Sequence, residues 1–366
     1  MQAIAALDAF LAARLRGEGA AWPSGVETGA ALRRIRFHGI AAFLHDTAGL
    51  PETLSQALLR ERALQAIREQ SWCAVIVPLL DAFAEAGVRA LLLKGARLAY
   101  SVYDEPQRRM RGDTDVLVPK ARLGEARKVL AKAGFARDAG VGDGLRQEQW
   151  TSGEEFGQSH VIDLHWAITN SPAINRALFP ECAFSRAVPL PALSESASGA
   201  GGVTTLLHIA LNRAFHLTHG FTAEGRRVTG EARLGWAMDV RMLACELDPC
   251  DWDEAAESAI DAGAAPCLLT ALLEARSKLA AAVPVSIVDR LRAVPERTWL
   301  VEYLEGGLRQ RLPHDLRAAD GLIERGQLIA AHLAPPEAAL RTRFSDADAP
   351  LWRLQLRRIA HAVKRT

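Results

Sequence analysis

The chain has 366 residues, 49% of them hydrophobic, and its 44 lysines and arginines are nearly balanced by 43 aspartates and glutamates. This length and apolar content predict two or three folded domains and exclude an intrinsically disordered chain. The formal net charge of +1 provides no overall basic field, so composition gives no strong signal for a nucleic-acid partner.

The cysteines and the N-terminus bear on the compartment. The chain has five cysteines: Cys73, Cys182, Cys245, Cys250 and Cys267. They include no Cys-x-x-Cys pair, which favours buried free thiols in a reducing compartment over a zinc site or a disulfide framework. The first residues lack the basic segment of a signal peptide. The apolar run at 74–80 is too short to cross a membrane, so we expect a cytoplasmic protein without a transmembrane segment.

Residues 1–85 are predicted to form an N-terminal helical region. Apolar residues recur there at steps of three and four, the spacing of one helix face: Ile4, Leu7, Leu11 and Leu15. A second helix is predicted at 28–46. A third should start near Pro51 and end near Gly87, and Pro78 would kink or split it.

Strands and helices alternate in the next hundred residues. The predicted order is a buried strand at 88–94, a short helix at 96–103, an arginine-rich loop at 104–112, a strand containing Asp113 and Asp115, an amphipathic helix at 120–134, weak strands and turns at 135–158, and a strand at 160–166. This alternation predicts an α+β core with a small mixed sheet.

A segment rich in proline, serine and glycine at 189–202 predicts a boundary, and the remainder of the chain has helical patterns. We therefore expect three parts: an N-terminal helical region (1–85), a core (86–195) and a C-terminal helical domain (196–366).

The core contains two aspartates two residues apart, Asp113 and Asp115, in the sequence Arg-Gly-Asp-Thr-Asp-Val-Leu-Val. In a strand both would point to the same face. At ~4 Å and an effective dielectric of ~20 their repulsion is about 4 kcal/mol, which a cation between them would relieve. Oxygen ligands without a thiolate favour Mg²⁺ or Mn²⁺. The alternative is a solvated turn that leads into a strand.

A third aspartate, Asp163, lies in the predicted strand His-Val-Ile-Asp-Leu-His-Trp, where His165 shares its face. Three carboxylates on neighbouring strands can hold divalent ions that orient a nucleoside triphosphate (NTP). His165 would either orient the third carboxylate or pack in the sheet. Other residues are candidates for contacts with the phosphates, by backbone approach or by positive charge: Lys94, Gly95, Arg108, Arg109 and Arg111.

These motifs together resemble a bacterial family of largely uncharacterised nucleotidyltransferases in the polymerase-beta-like superfamily. The resemblance is carried by Leu-Leu-Lys-Gly-Ala (92–96), Arg-Met-Arg-Gly-Asp-Thr-Asp-Val-Leu-Val (109–118) and Val-Ile-Asp-Leu-His-Trp (161–166). It extends through Arg233, Trp236 and Asp239. It implies that Asp113, Asp115 and Asp163 are metal ligands, and that Asp163 also helps to deprotonate the acceptor. The implied reaction is transfer of a nucleotidyl group from an NTP, with release of pyrophosphate.

One departure from the superfamily pattern supports an alternative. The superfamily usually has a Gly-Gly or Gly-Ser pair before the Asp-x-Asp strand, whereas this chain has Lys94-Gly95 at a longer spacing. The alternative is a catalytically inactive nucleotide- or partner-binding module on the same fold. If the protein is active, its acceptor is an unknown small molecule or a protein. A kinase-like use of the ions is less favoured, because the chain has no Walker A sequence.

Two further patterns have open interpretations. His208, Asn212 and His216 share one face of a predicted helix, which favours a polar groove facing the core, or core hydrogen bonding, over a metal site. The segment 352–366 contains basic residues and no acid: Arg353, Arg357, Arg358, Lys364 and Arg365. It predicts a docked basic helix, or a weak contact with an anionic surface.

Overall fold

The structure is a computed structural model that describes residues 2–44, 47–138, 146–154, 158–179, 183–223, 225–333, 337, 340–341 and 349–363. Three residues used in the sequence predictions lie outside these ranges: Cys182, Lys364 and Arg365. Part of the segment predicted as weak strands and turns, at 135–158, also lies outside them.

A seven-stranded mixed sheet has the spatial order β3-β4-β5-β2-β1-β7-β6. Its strands are β1 (Leu91–Leu92), β2 (Thr114–Leu117), β3 (Phe135–Arg137), β4 (Gln147–Ser152), β5 (Val161–His165), β6 (Val188–Pro189) and β7 (Ser198–Gly199). β2 is parallel to β5 and β1 is parallel to β7, whereas the other neighbours are antiparallel. A separate hairpin consists of β8 (Phe221–Ala223) and β9 (Arg226–Val228).

Helices precede, interrupt and follow the sheet along the chain. The first group is α1 (Gln2–Leu15), α2 (Thr28–His38), α3 (Ala41–Leu44) and α4 (Glu52–Glu85). Three helices lie between strands: α5 (Lys94–Ala99), α6 (Leu123–Lys132) and α7 (Pro172–Leu178). The last group is α8 (Gly202–His219), α9 (Leu234–Leu243), α10 (Pro249–Asp261), α11 (Ala265–Leu279), α12 (Val285–Arg292), α13 (Trp299–Glu305), α14 (Leu308–Ala318), α15 (Gly321–Leu333) and α16 (Leu351–Val363). The predicted α+β class is confirmed.

One face of the sheet packs against α4. Val116 of β2 and Ile162 and Leu164 of β5 are buried in one apolar cluster with Leu80 and Phe83 of α4. Since successive side chains along a strand point to opposite faces, residues 115, 163 and 165 project from the other face. The apolar alternation of β2 and β5 thus fixes the face that carries the polar residues.

Several predicted boundaries were wrong. β1 covers two residues instead of seven, because Lys94 has a left-handed backbone (φ 42°) that turns the chain into α5. β2 begins at Thr114, so Asp113 precedes the strand. Pro78 does not split α4, which is continuous over Glu52–Glu85. We attribute this continuity to the burial of the apolar side chains on either side of Pro78, which offsets its cost of about 3 kcal/mol.

The remaining expectations have mixed outcomes. Among the described cysteines only Cys267 is buried, while Cys245 and Cys250 are exposed, so buried thiols were a poor prediction. Across the described residues, no helix combines the length and apolar character needed to cross a membrane. In α16, Trp352 is 64% exposed and Leu354 is buried. The anionic-surface contact and the three-part division of the chain stay predictions.

Candidate active site

The pairing of β2 with β5 brings two of the predicted aspartates together. Asp115 lies directly opposite Asp163 in this parallel pair, and Leu117 lies opposite His165. Residues directly opposite each other point to the same face, so both carboxylates and the imidazole occupy one side of the sheet. Nε2 of His165 lies 2.9 Å from Oδ1 of Asp115. The predicted common face of Asp163 and His165 is therefore observed.

Asp115, Asp163 and His165 each offer one ligand atom, and these atoms all lie within 4.8 Å of one another. Asp113 is not a member of this set; it is exposed, two residues before Asp115. Its carboxylate nevertheless interacts electrostatically with those of Asp115 and Asp163. The structure thus assembles an Asp-Asp-His centre, with Asp113 as a nearby third carboxylate.

Burial and neighbouring charges shift the pKa values of the three carboxyl groups at this centre. Burial first, and then the charges of Asp115 and Asp113, raise the pKa of Asp163 to about 6. Partial desolvation and the charge of Asp115 also raise the pKa of Asp113. Burial opposes ionisation of Asp115 too, but Lys94 and the hydrogen bond from His165 hold its pKa well below the ordinary value. Such mutual repulsion is typical of a cation-binding site.

Lys94 supplies the positive charge at Asp115. Its Nζ lies 2.7 Å from Oδ1 of Asp115, and its side chain is 26% exposed. The backbone N–H of Leu93 donates to the carbonyl of Asp115 at 3.0 Å, which fixes the start of α5 beside β2. The left-handed backbone of a non-glycine residue costs of order 1 kcal/mol or more. That strain places the ammonium group on the carboxylate.

Gly95, predicted to let the backbone approach phosphate, follows Lys94. A methyl group at this position would lie 3.5 Å from Cζ of Arg109, an ordinary contact distance. The space around position 95 therefore does not require glycine. A role of Gly95 in phosphate binding stays a prediction.

Arg109, also predicted to bind phosphate, is bound to the C-terminal helices. Its Nε and Nη2 donate to the two carboxylate oxygens of Asp239 at 2.6 and 2.8 Å, and its Nη1 donates to the carbonyl of Met110. Asp239 is buried in α9 and also accepts from the hydroxyl of Tyr103 at 2.7 Å. This contact joins the core to α9.

Arg111 has an acidic partner as well. Its Nη2 donates to Oε1 of Glu69 at 2.5 Å, and its guanidinium lies 4.0 Å from the ring centre of Trp72. A phosphate contact at Arg111 would compete with Glu69, and one at Arg109 would compete with Asp239. Both roles stay predictions. Arg108 pairs with Asp104 and Glu105.

Part of α8 lies near this region, because His208 interacts electrostatically with Lys94, Asp115 and His165. The predicted polar groove on this helix stays a prediction. His208 is 5% exposed and makes no hydrogen bond within the described part of the chain. Burial first, and then the positive charge of Lys94, hold the pKa of His208 well below its usual value. His216 stacks on Trp236 with ring centres 5.9 Å apart, and its buried Nδ1 has no hydrogen-bond partner among the residues that the structure describes. The structure gives α8 no metal-ligand set among the described residues.

The donor set fits a small divalent cation. Two carboxylates and one imidazole, with a third carboxylate nearby, offer hard oxygen atoms and no thiolate. The raised pKa of Asp163 reflects its burial first, and then the negative charges of Asp115 and Asp113, which Lys94 and His165 offset only in part. Asp115, Asp163 and His165 are therefore the residues that could hold a divalent cation, and the predicted participation of Asp113 stays a prediction.

A comparison with family models gives a match over residues 24–279, well over half of the chain, and the matching family is described as an uncharacterised nucleotidyltransferase. The matched segment includes the Asp-Asp-His centre, Lys94 and α8 to α11. A comparison with curated proteins gives no match.

Proposed function

We propose that this chain, which belongs to the uncharacterised nucleotidyltransferase family, transfers a nucleotidyl group from an NTP to an acceptor and releases pyrophosphate. The observation that carries the proposal is the placement of Asp115 opposite Asp163, with Asp113 two residues earlier. Nucleotidyl transfer depends mainly on positioning and on neutralising charge in the transition state.

In this proposal the carboxylates of Asp113, Asp115 and Asp163 hold Mg²⁺ or Mn²⁺. A cation held there would supply positive charge for the triphosphate oxygens and would lower the pKa of the attacking acceptor group. An acceptor oxygen or nitrogen forms a bond to the α-phosphorus, while the bond from that phosphorus to the bridging oxygen breaks. Pyrophosphate leaves with the electron pair. Asp163, at the edge of the carboxylate set, accepts the proton from the attacking group.

Lys94 acts as an internal counter-ion before the nucleotide binds. Its ammonium group neutralises Asp115, a residue that the metal also requires. When the triphosphate enters, Lys94 exchanges this carboxylate for a phosphate oxygen and leaves Asp115 to the divalent ion. Nucleotide and metal should consequently bind together rather than independently.

The acceptor, a small molecule or a protein, is assigned to the side of the centre covered by α8. The buried imidazole of His208 is neutral and interacts with the charges of Lys94 and Asp115. Neither this imidazole nor the half-buried side chain of Asn212, one turn further along α8, has a hydrogen-bond partner among the described residues. Unsatisfied polar groups in such a position select for a ligand that pairs with them.

The alternative is a nucleotide- or partner-binding module without catalysis. The observation that favours it is Lys94-Gly95, which replaces the phosphate-cradling glycine pair and places a lysine on Asp115. The two proposals differ in turnover, since a module would bind an NTP and Mg²⁺ without consuming the NTP.

A thermal-shift titration tests the proposal. Wild type, Asp113→Asn and Asp163→Asn are each titrated with ATP, GTP, CTP and UTP, with and without Mg²⁺. Asp261→Asn is the control, because Asp261 is exposed at the end of α10. At ~100 times its dissociation constant, the preferred NTP should add about 2.7 kcal/mol of stability. This gain should require Mg²⁺ and disappear in the two site variants.

The same NTP, labelled at the α-phosphate, is then incubated with candidate acceptors and with cell lysate. Transfer of the label by wild type and its loss in Asp163→Asn support the transferase. Unchanged transfer by both site variants would contradict the mechanism. Magnesium-dependent binding without turnover of any acceptor would favour the binding module.

A further inference from the structure

The cations near the Asp-Asp-His centre differ in whether they have an acidic partner. Lys94 binds Asp115 at 2.7 Å, and Arg109 binds Asp239 at 2.6 Å. Arg233, at the start of α9, has no carboxylate partner among the described residues. Of these three cations, Arg233 is thus the one without an ion pair among the described residues.

A backbone contact holds Arg233 in place. Its Nε donates to the carbonyl of Phe37 at 2.5 Å, which leaves both terminal nitrogens of the guanidinium without a protein partner in the described part of the chain. The guanidinium also lies 5.8 Å from the ring centre of Phe221. A guanidinium held by one edge presents its remaining donors in a fixed direction.

Gly39 makes room for this arrangement. It has a left-handed backbone (φ 70°), and a methyl group at this position would lie 2.8 Å from Nη2 of Arg233 and 3.7 Å from Cε of Met110. Any larger residue would displace the guanidinium. Since Met110 lies between Arg109 and Arg111, the same contact places Arg233 beside the loop that leads to Asp113.

The surroundings of Arg233 favour an anionic ligand. Burial first, and then the nearby charge of Arg109, lower the pKa of Arg233 to about 10, against a weaker opposing effect of Asp239. Burial first, and then the positive charges of Lys94 and Arg233, also lower the pKa of His216. A partly buried cation without a counter-ion is costly, and a phosphate would remove that cost while forming charge-assisted hydrogen bonds.

We infer that Arg233 is a phosphate-binding residue near the Asp-Asp-His centre, in addition to Lys94 and in the role for which the sequence offered Arg108, Arg109 and Arg111. The ligand group is a phosphate, either at the distal end of the NTP or on the acceptor. The inference rests on the proposed function for both sources, and a titration with inorganic phosphate tests it independently of turnover.

Binding measurements on three variants test it. Arg233→Gln removes the charge but keeps a donor, and Arg233→Lys keeps the charge but loses the planar guanidinium. Arg241→Gln is the matched control, because Arg241 lies on the same helix and likewise donates to a carbonyl of the N-terminal region, that of Leu15, at 2.6 Å. Calorimetric titration with Mg²⁺ uses the preferred NTP, its diphosphate and its monophosphate. A separate titration uses inorganic phosphate.

If Arg233 contacts the distal phosphates, Arg233→Gln should weaken NTP binding at least tenfold and monophosphate binding less than threefold. Arg233→Lys should lie between wild type and Arg233→Gln. If Arg233 instead binds a phosphate on the acceptor, NTP affinity should be unchanged while stabilisation by inorganic phosphate is lost. Both outcomes support the inference and distinguish the two sources.

The inference would be overturned if Arg233→Gln bound the NTP as tightly as wild type does and also bound inorganic phosphate as tightly as wild type does. A folded wild type that binds no NTP would contradict the proposed function, and the inorganic phosphate titration would still decide the role of Arg233. Unfolding curves of Arg233→Lys and Arg241→Gln are compared. If the two curves are equal, a difference in binding between these variants does not come from a loss of folding.

Discussion

Replacing Lys94 with methionine should destabilise the ligand-free protein and strengthen its binding of a divalent ion in the absence of nucleotide. Nζ of Lys94 lies 2.7 Å from Oδ1 of Asp115, whose side chain is 7% exposed. At this distance and an effective dielectric of ~20, the attraction is about 6 kcal/mol. Desolvation of the two ions offsets several kcal/mol of that attraction.

The expected net loss of unfolding free energy in Lys94→Met is roughly 1–3 kcal/mol near pH 7, below the 3–5 kcal/mol typical of breaking a buried pair. We expect a smaller loss than that range because His165 keeps its 2.9 Å hydrogen bond to the same carboxylate oxygen of Asp115. Because the folded pKa of Asp115 lies below its ordinary value of 3.8, the stabilisation is present above that pH. The difference between wild type and variant should therefore shrink as the pH falls below it.

Metal binding should change in the opposite direction. Without the ammonium group, Asp115 is free for the cation, so Mn²⁺ should bind Lys94→Met at least tenfold more tightly than wild type, about 1.4 kcal/mol. NTP binding should weaken, since Lys94 no longer reaches a phosphate. The assays are urea unfolding and measurement of free Mn²⁺ by electron paramagnetic resonance. Lys120→Met, at an exposed lysine beyond the other end of β2, is the control. Unchanged or weaker Mn²⁺ binding by Lys94→Met would refute the counter-ion role.

The remaining predictions concern Asp163 and Asp239. The pKa of Asp163 is raised from 3.8 to about 6, so its ionised form destabilises the folded state above pH 6, and this cost disappears towards pH 4. Asp163→Asn should therefore raise the unfolding free energy at pH 7.5 by up to about 3 kcal/mol, and in wild type Mg²⁺-dependent stabilisation should fall between pH 7 and 5. Urea unfolding with and without Mg²⁺ checks both, and a less stable Asp163→Asn would contradict the electrostatic argument. Asp239→Asn leaves Arg109 without its buried partner and should cost roughly 3–5 kcal/mol, whereas Tyr103→Phe, which removes one hydrogen bond to Asp239, should cost about 1 kcal/mol. Equal unfolding midpoints for these two variants would count against a structural role for the Arg109 pair.

The sequence by itself determined the chemistry of the centre. Period-two alternation around Val116, Ile162 and Leu164 puts one set of residues in the core and the other on the opposite face. Asp115, Asp163 and His165 consequently point to the same face in any fold that pairs the two strands with their apolar residues in one core. Local spacing carries this information because it depends only on strand geometry.

The sequence also indicated the α+β class and the flanking helices, since periodicity changes from helix to strand and back along the chain. It placed the strand boundaries less well. The left-handed backbone of Lys94 ends β1 early, and no periodic pattern marks a single residue with unusual torsion angles.

Only the tertiary structure decided which basic side chain forms an ion pair with which acidic side chain. Arg109 binds Asp239, 130 residues away, and Arg233 binds the carbonyl of Phe37, 196 residues away. Three arginines near Asp113 look equally suited to phosphate in the sequence, yet each of them has an acidic partner in the structure. Such pairings depend on how α9 and the N-terminal helices pack around the sheet. The sequence shows which residues are charged, but only the tertiary structure shows which of these charges have a partner of opposite sign.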